Sequence, residues 1–144
     1  MNEAFHHIRK AYIDAITGNI TLGGSAVPIY NHVPSSADTP FIKVYSYLQD
    51  EIDQNNSTFI TECITRFEPV VSYFGENGGE YQLNQIVDGI LSIVRTRNNV
   101  DLTAEGFNVI TTTLERIKYF PAEYENGATY FRCLLDISNR IEKI

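Results

Sequence analysis

Basic residues are scarce in this sequence. Lysine and arginine together number 11 against 18 aspartates and glutamates, so the formal net charge is −7 over 144 residues. A domain that reads duplex DNA usually carries the opposite sign, because neutralisation of phosphates supplies most of its affinity. The composition therefore disfavours sequence-specific nucleic-acid binding.

Cysteine is scarce as well, with Cys63 and Cys133 far apart in the chain. Both lie in segments where polar and apolar residues alternate, and neither has a base beside it in the sequence. In a reducing compartment such thiols are most simply small core residues. We therefore predict neither a disulfide nor a reactive thiol.

Long apolar runs are missing. No stretch approaches the ~18 apolar residues that span a bilayer, and the first residues lack the basic-then-apolar pattern of a signal peptide. We expect a protein that is made in a cytoplasm and does not contact a membrane. With 43% hydrophobic and 20% charged residues, the chain is expected to fold as one domain over residues 1–144.

The patterns that carry chemistry are incomplete. His6 and His7 point about 100° apart on a helix, and His32 is the only other histidine for a zinc site. The glycine-rich residues 75–79 precede a helix but lack the Lys-Ser/Thr of a phosphate loop. Ser25 lacks the strand–turn–helix setting of a catalytic serine. We predict no catalytic, metal-binding or cofactor-binding residue, no cofactor, and a protein that is not an enzyme.

Hydrophobic periodicity predicts the element order α–β–β–β–α–β–β–β. Apolar stripes at helical spacing predict helices over residues 3–17 and 80–97. The predicted strands cover residues 27–33, 41–48, 58–71, 100–102, 107–118 and 128–138. Two helices cannot cover both faces of such a sheet. We therefore predict an α+β fold with a largely antiparallel sheet and two helices packed on one face.

Residues 58–71 show which face of the sheet meets the core. One side of this strand carries no charge between Phe59 and Phe67, whereas Glu62, Arg66 and Glu68 lie on the other. The second face is therefore either wet or covered by a neighbouring subunit.

Two polar segments between strands are predicted to be loops and candidates for contact with a partner. Residues 49–57 contain an acidic cluster that lacks the central glycine of a calcium loop. Residues 119–127 contain tyrosines, and tyrosine is favoured where a partner buries the surface. The predicted partner-interface residues are Asp50, Glu51, Asp53, Tyr119 and Tyr124.

Two proline-bounded segments resemble the tail completion proteins of tailed bacteriophages. In that family a first helix leads to "Val-Tyr-Asp-x-Val-Pro" and then to a "Pro-Tyr-Val-x-Ile" strand. Residues 29–34 are similar to the first pattern, with Asn31 in place of aspartate, and residues 40–44 are similar to the second, with Phe41 in place of tyrosine. The order of the later elements also resembles that family, so the likeness extends over nearly all of the chain.

The resemblance implies a structural virion protein, assembled in the host cytoplasm, that forms a ring at the neck or tail end. The expected partners are other copies in a hexameric or twelve-fold ring, the neighbouring neck, portal, adaptor or tail tube proteins, and genome DNA that passes through the lumen without sequence-specific binding. The negative charge suits a lumen past which DNA slides. The alternatives are a portal-proximal ring protein of a short-tailed phage and a non-viral protein-interaction module.

Overall fold

A computed structural model describes residues 4–54, 59–76, 78–95 and 102–143 of the chain. Its helices are α1 (Phe5–Ile16) and α2 (Tyr81–Val94). Its strands are β1 (Thr21–Leu22), β2 (Ser25–Ala26), β3 (Ile29–Tyr30), β4 (Phe41–Gln54), β5 (Phe59–Phe74), β6 (Phe107–Tyr119), β7 (Glu123–Glu125) and β8 (Ala128–Lys143).

The main sheet has the strand order β3-β4-β5-β8-β6, and β7 pairs with the start of β8 beside β6. The pairs β4–β5, β5–β8, β6–β8 and β7–β8 are antiparallel, and β3 is parallel to β4 over two residues. This arrangement confirms the predicted α+β fold with a largely antiparallel sheet.

Both helices pack on one face of the sheet, as predicted. The buried residues of α1, Ile8, Tyr12 and Ile16, recur at a spacing of four and form one stripe. The ring of Tyr12 meets Phe67 of β5 edge-on, with 5.3 Å between ring centroids. The side chains that are buried beneath the helices include Val44, Cys63, Phe67, Cys133, Leu135 and Ile137. The opposite face of the sheet has no helix on it among the described residues.

The predicted loop over residues 49–57 is wrong for Gln49–Gln54. These residues continue β4, and the ladder with β5 runs to the pair Gln54–Phe59. Polar residues are tolerated because β4 lies near the edge of the sheet, where side chains such as that of Asp50 remain exposed. Residues 55–57 of the predicted loop lie outside the described residues.

The predicted loop over residues 119–127 is wrong for Tyr119 and for residues 123–125, which lie in strands, and holds for the other five residues. Tyr119 ends β6, and β7 continues the same edge of the sheet after Pro121, which has no N–H to donate to a ladder. The chain then turns at Asn126 and Gly127, with φ of 52° and 80°. Two consecutive residues of positive φ form a tight hairpin turn, for which Asn-Gly is the favoured sequence.

The remaining differences concern short elements and ends. The predicted loop over residues 20–26 contains the small hairpin β1–β2, and the predicted strand over residues 27–33 shrinks to Ile29–Tyr30. Leu102 belongs to no strand, and the other two residues of that predicted strand lie outside the described residues. The last strand runs on to Lys143, five residues past its predicted end, because it lies between β5 and β6 over that length.

Candidate interaction surface

The face of the sheet that the helices leave open is centred on an ion pair between β5 and β8. Arg66 Nε lies 2.7 Å from Asp136 Oδ1, and Arg66 Nη2 donates to Asp136 Oδ2 at 3.0 Å. The pairing is bidentate, which is the strongest geometry for arginine and carboxylate. The side chains are only 14% and 5% exposed, respectively. The two charges are thus held away from water on a face that neither α1 nor α2 covers.

Two tyrosines of β4 surround this ion pair. The Arg66 guanidinium lies 3.8 Å from the ring centroid of Tyr47, a cation–π contact. The hydrogen bond to Asp136 is the main cause that raises the pKa of Arg66 further above its ordinary value, and Tyr45 contributes a second hydrogen bond. Burial raises the pKa of Tyr45. The cluster therefore presents a fixed cation and the neutral hydroxyl of Tyr45, beside a Tyr47 side chain that is 51% exposed.

Weaker ion pairs flank the cluster at both ends of the open face. Arg140 Nε lies 3.7 Å from Glu62 Oε2. At the other end Arg132 lies 3.5 Å from Glu68 and 3.4 Å from Glu123. Partly exposed pairs of this length contribute about 0–1 kcal/mol each to stability. Their effect is to neutralise the face, so that it can be covered without leaving many unpaired charges.

A groove of about 340 Å³ lies on the same face near the end of β5. Its lining includes Phe41, Val70 and Tyr130, together with the cations Lys43 and Arg132. Three glutamates, Glu68, Glu123 and Glu125, also line the groove, and Arg132 pairs with two of them, Glu68 and Glu123. Its chemistry suits contact with another protein.

The structure separates the predicted partner-interface residues into two sets. Asp50, Glu51 and Asp53 lie on β4, opposite residues 60–62 of β5, and the side chain of Asp50 is exposed. Tyr119 lies at the end of β6 and Tyr124 on β7, both exposed. Since β4 and β6 lie towards opposite edges of the sheet, the two sets do not form one site within one chain.

Sequence reasoning missed the cluster of Tyr45, Tyr47, Arg66 and Asp136. Alternation places Arg66 on the charged face of its own strand, and Asp136 on that of β8. Nothing local, however, indicates that β5 pairs with β8 in the register that sets these two residues opposite each other. The available signal was a lone arginine and a lone aspartate, each in the middle of a strand.

The residues that the sequence analysis considered for metal or thiol chemistry do not form a site. His6 and His7 lie against each other, with ring centroids 3.8 Å apart. In residues 4–54, 59–76, 78–95 and 102–143 no three His, Cys, Asp or Glu side chains are grouped to hold a metal ion. Cys63 and Cys133 are both free and buried.

Burial raises the pKa of the Cys133 thiol from 9.0 to about 12. At pH 8 this shift lowers the thiolate fraction about a thousandfold, and the thiolate is the form that reacts. We expect Cys133 to resist iodoacetamide in the folded protein and to be alkylated rapidly in urea, as followed by mass spectrometry. Equal rates in the two states would contradict the buried placement.

In the part of the chain that the structure describes, no helix has the length and hydropathy of a membrane span. The chain was also compared with known proteins. It matches no protein-family model, and none of the functionally curated proteins matches it.

Proposed function

We propose that this protein is a structural subunit of a phage neck or tail ring, a tail terminator or head–tail joining protein without catalytic activity. The observation that carries the proposal is the open face of the sheet. There Tyr47 and Arg66, residue types that dominate the energetics of protein interfaces, lie side by side over a buried carboxylate. A sheet face of this composition is suited to being covered by another subunit.

Three further features support the proposal. The order of helices and long strands agrees with what the resemblance to tail completion proteins implies. The groove on the open face combines apolar and aromatic side chains with paired charges, as contact surfaces of proteins do. The net charge of −7 suits a lumen through which DNA slides without adhering.

The decisive experiment is an assembly assay with the full chain. We expect a closed ring of one stoichiometry, six or twelve copies, either from the chain alone or after mixing with portal, adaptor and tail tube proteins of the same virus. Native mass spectrometry would count the copies, and negative-stain electron microscopy would show closure.

The matched variant for this assay is Tyr47→Ser, which removes the exposed ring on the open face. The control variant Tyr81→Ser removes a more exposed ring from α2, on the other side of the molecule. We expect the first to weaken assembly and the second to leave it unchanged. A chain that stays monomeric with every neck and tail component, or intact particles that lack it, would refute the proposed function.

A further inference from the structure

Both edges of the main sheet are open along most of their length. On one side, β3 pairs only with Ile42 and Lys43, and Asn31 Nδ2 donates to the Val44 carbonyl at 2.9 Å. From Tyr45 onward no strand in the described residues pairs with the outer side of β4. On the other side, β8 is the only one of the described strands that pairs with β6. Open edges of this length attract other strands unless they are protected or used.

Exposed apolar side chains concentrate on these same edges. Tyr47 and Leu48 on β4 are 51% and 42% exposed, and Ile117 and Tyr119 on β6 are 39% and 38% exposed. The other exposed large hydrophobic side chains on the edges are Ile110 of β6 and Tyr124 of β7. Apolar side chains on an edge that stays in water gain nothing from burial. Their concentration on these edges therefore indicates surfaces that a partner buries.

One segment of each edge carries charge of a single sign on the open face of the sheet. Asp50, opposite Glu62, lies on the open face of β4 and is exposed. Arg116, opposite Asp136, and Lys118 lie on the open face of β6. Contact between two β4 edges would bring carboxylates together, and contact between two β6 edges would bring cations together. Charge complementarity therefore favours β4 against β6.

We infer that copies of this chain associate head to tail, with the β4 edge of one subunit against the β6 edge of the next. The inference rests on the proposed function and specifies its subunit contact. Within one chain β4 and β6 run in opposite directions, because three antiparallel pairings separate them. A neighbour that continues the sheet around an axis therefore meets it in an antiparallel sense. Such a heterologous contact repeats from subunit to subunit, and it closes into a ring when the rotation between neighbours divides a full turn.

The contact also fixes a shift between neighbours. Through the ladder, Asp50 is level with Thr111, whereas Arg116 lies five residues further along β6. Bringing Asp50 against Arg116 and Lys118 requires a displacement along the strands of roughly 15 Å. Sheets that close on themselves require such a stagger, because their strands tilt against the axis.

Bulges confine the contact to short segments. The β4 ladder is irregular between Ser46 and Leu48 and again between Glu51 and Asp53, and that of β6 between Leu114 and Arg116. The regular segments that remain between and beyond these bulges include Leu48–Glu51 and Arg116–Tyr119. The first contains two acids and the second contains two bases, and each carries exposed apolar side chains. The bulges leave these two segments free to meet and discourage open-ended pairing elsewhere.

The test is a disulfide scan on the full chain, which is practicable because the native cysteines are buried. We expect Asp50→Cys and Lys118→Cys proteins to cross-link with each other on mixing and oxidation. A protein that carries both cysteines should give a ladder of cross-linked bands on a non-reducing gel, and the largest band should contain as many copies as the ring has subunits. As controls, neither single variant should cross-link efficiently with itself, and Asp14→Cys on α1 should not cross-link with Lys118→Cys.

Charge reversal gives a second, independent readout. Asp50→Lys is expected to raise the concentration needed for half-assembly about tenfold, since it replaces an attraction by a repulsion at every interface. Adding Lys118→Asp should restore assembly. The matched control Asp14→Lys, on the exposed side of α1, should have no effect.

The outcomes separate this contact from the proposed function. Rings seen by microscopy that show neither the Asp50–Lys118 cross-link nor the charge effect would overturn the edge contact and leave the function standing. If the chain gives the cross-linked ladder but no neck or tail component recruits it, the proposed function would be overturned and the edge contact would stand. Cross-links between two Asp50→Cys copies, or no cross-link at millimolar concentration, would also overturn the edge contact.

Discussion

Replacing Asp136 by asparagine is expected to lower the free energy of unfolding by about 3 kcal/mol, at the lower end of the range for broken buried ion pairs. The substitution leaves the Arg66 guanidinium with no anionic partner on a side chain that is only slightly exposed. The remaining contacts of Arg66, the Tyr47 ring and Tyr45, are neutral and do not replace a bidentate carboxylate. Urea unfolding of wild type and variant would measure the loss.

The control for this prediction is the ion pair between Lys10 and Asp14 on α1. Its atoms lie 2.7 Å apart, as close as those of the buried pair, but both side chains are exposed. Asp14→Asn should therefore cost less than about 0.5 kcal/mol. If Asp136→Asn costs no more than Asp14→Asn, the Arg66–Asp136 pair is not shielded from water and the description of the open face is wrong.

The double variant Arg66→Met with Asp136→Leu separates the cost of leaving one buried charge unpaired from the cost of losing the ion pair as a whole. Removing both charges leaves no unpaired ion. The free energy of unfolding of the double variant should therefore be closer to that of wild type than the value for either single variant. It should also retain a folded monomer while it weakens assembly, since it deletes the cation beneath Tyr47. A variant that folds and assembles like wild type would show that this cluster has no part in the interface.

Much of the fold could be predicted from the sequence because its elements have strong periodic patterns. The stripe of Leu83, Ile86 and Ile90 is long enough to specify α2 by itself. The face partition of β5 likewise follows from residues that are close in sequence, such as Cys63 against Glu62. These patterns reflect burial, and burial depends on the local period of each element.

The errors fall where a strand is polar because it lies at an edge. Gln49–Gln54 contains almost no apolar residue, so pattern analysis favours a loop, yet the length of β5 and β8 keeps it in the ladder. The same holds for β7, which pairs with β8 although all three of its residues are exposed. When an edge strand is held by pairing with a strand that is distant in the sequence, its own residues need not show an alternating hydrophobic pattern.

The candidate surface could be predicted only in part for a related reason. The sequence indicates residue types that partners favour, and Asp50 and Tyr119 do lie exposed on the surface. It does not show that they lie on opposite edges, because that separation depends on a strand order in which β8 inserts between β5 and β6. The two candidate segments predicted from the sequence thus lie at opposite edges of one sheet.

Tyr12 is expected to give the second large effect, because it joins α1 to the centre of the sheet. Its hydroxyl donates to Asn139 Oδ1 at 2.7 Å, and Asn139 Nδ2 donates to Thr112 Oγ1 at 3.0 Å. Tyr12→Phe leaves Asn139 Oδ1 without this donor in the core, at a cost of about 1–3 kcal/mol. Tyr12→Ala also removes the ring from Phe67, for a total of about 3–5 kcal/mol.

The exposed Tyr81 provides the matched control for the hydroxyl. Tyr81→Phe removes the same group from a side chain that is 73% exposed, so the free energy of unfolding in urea should not change measurably. Equal stabilities of Tyr12→Phe and Tyr81→Phe would mean that the hydrogen bond from Tyr12 to Asn139 contributes nothing.

The same residue predicts how stability responds to alkali. Burial raises the pKa of Tyr12 above its ordinary value of 10.0, so the folded state keeps a proton that the unfolded chain releases. The contribution of the protonated Tyr12 phenol to the free energy of unfolding is fully present below pH 10. It is lost by about 1.4 kcal/mol per pH unit as the pH rises towards the pKa of the folded state. The advantage of wild type over Tyr12→Phe should therefore shrink by about 1.4 kcal/mol between pH 8 and pH 11. Parallel stability profiles for the two proteins over that interval would show that the phenol is not buried, and with it that α1 is not anchored through Asn139.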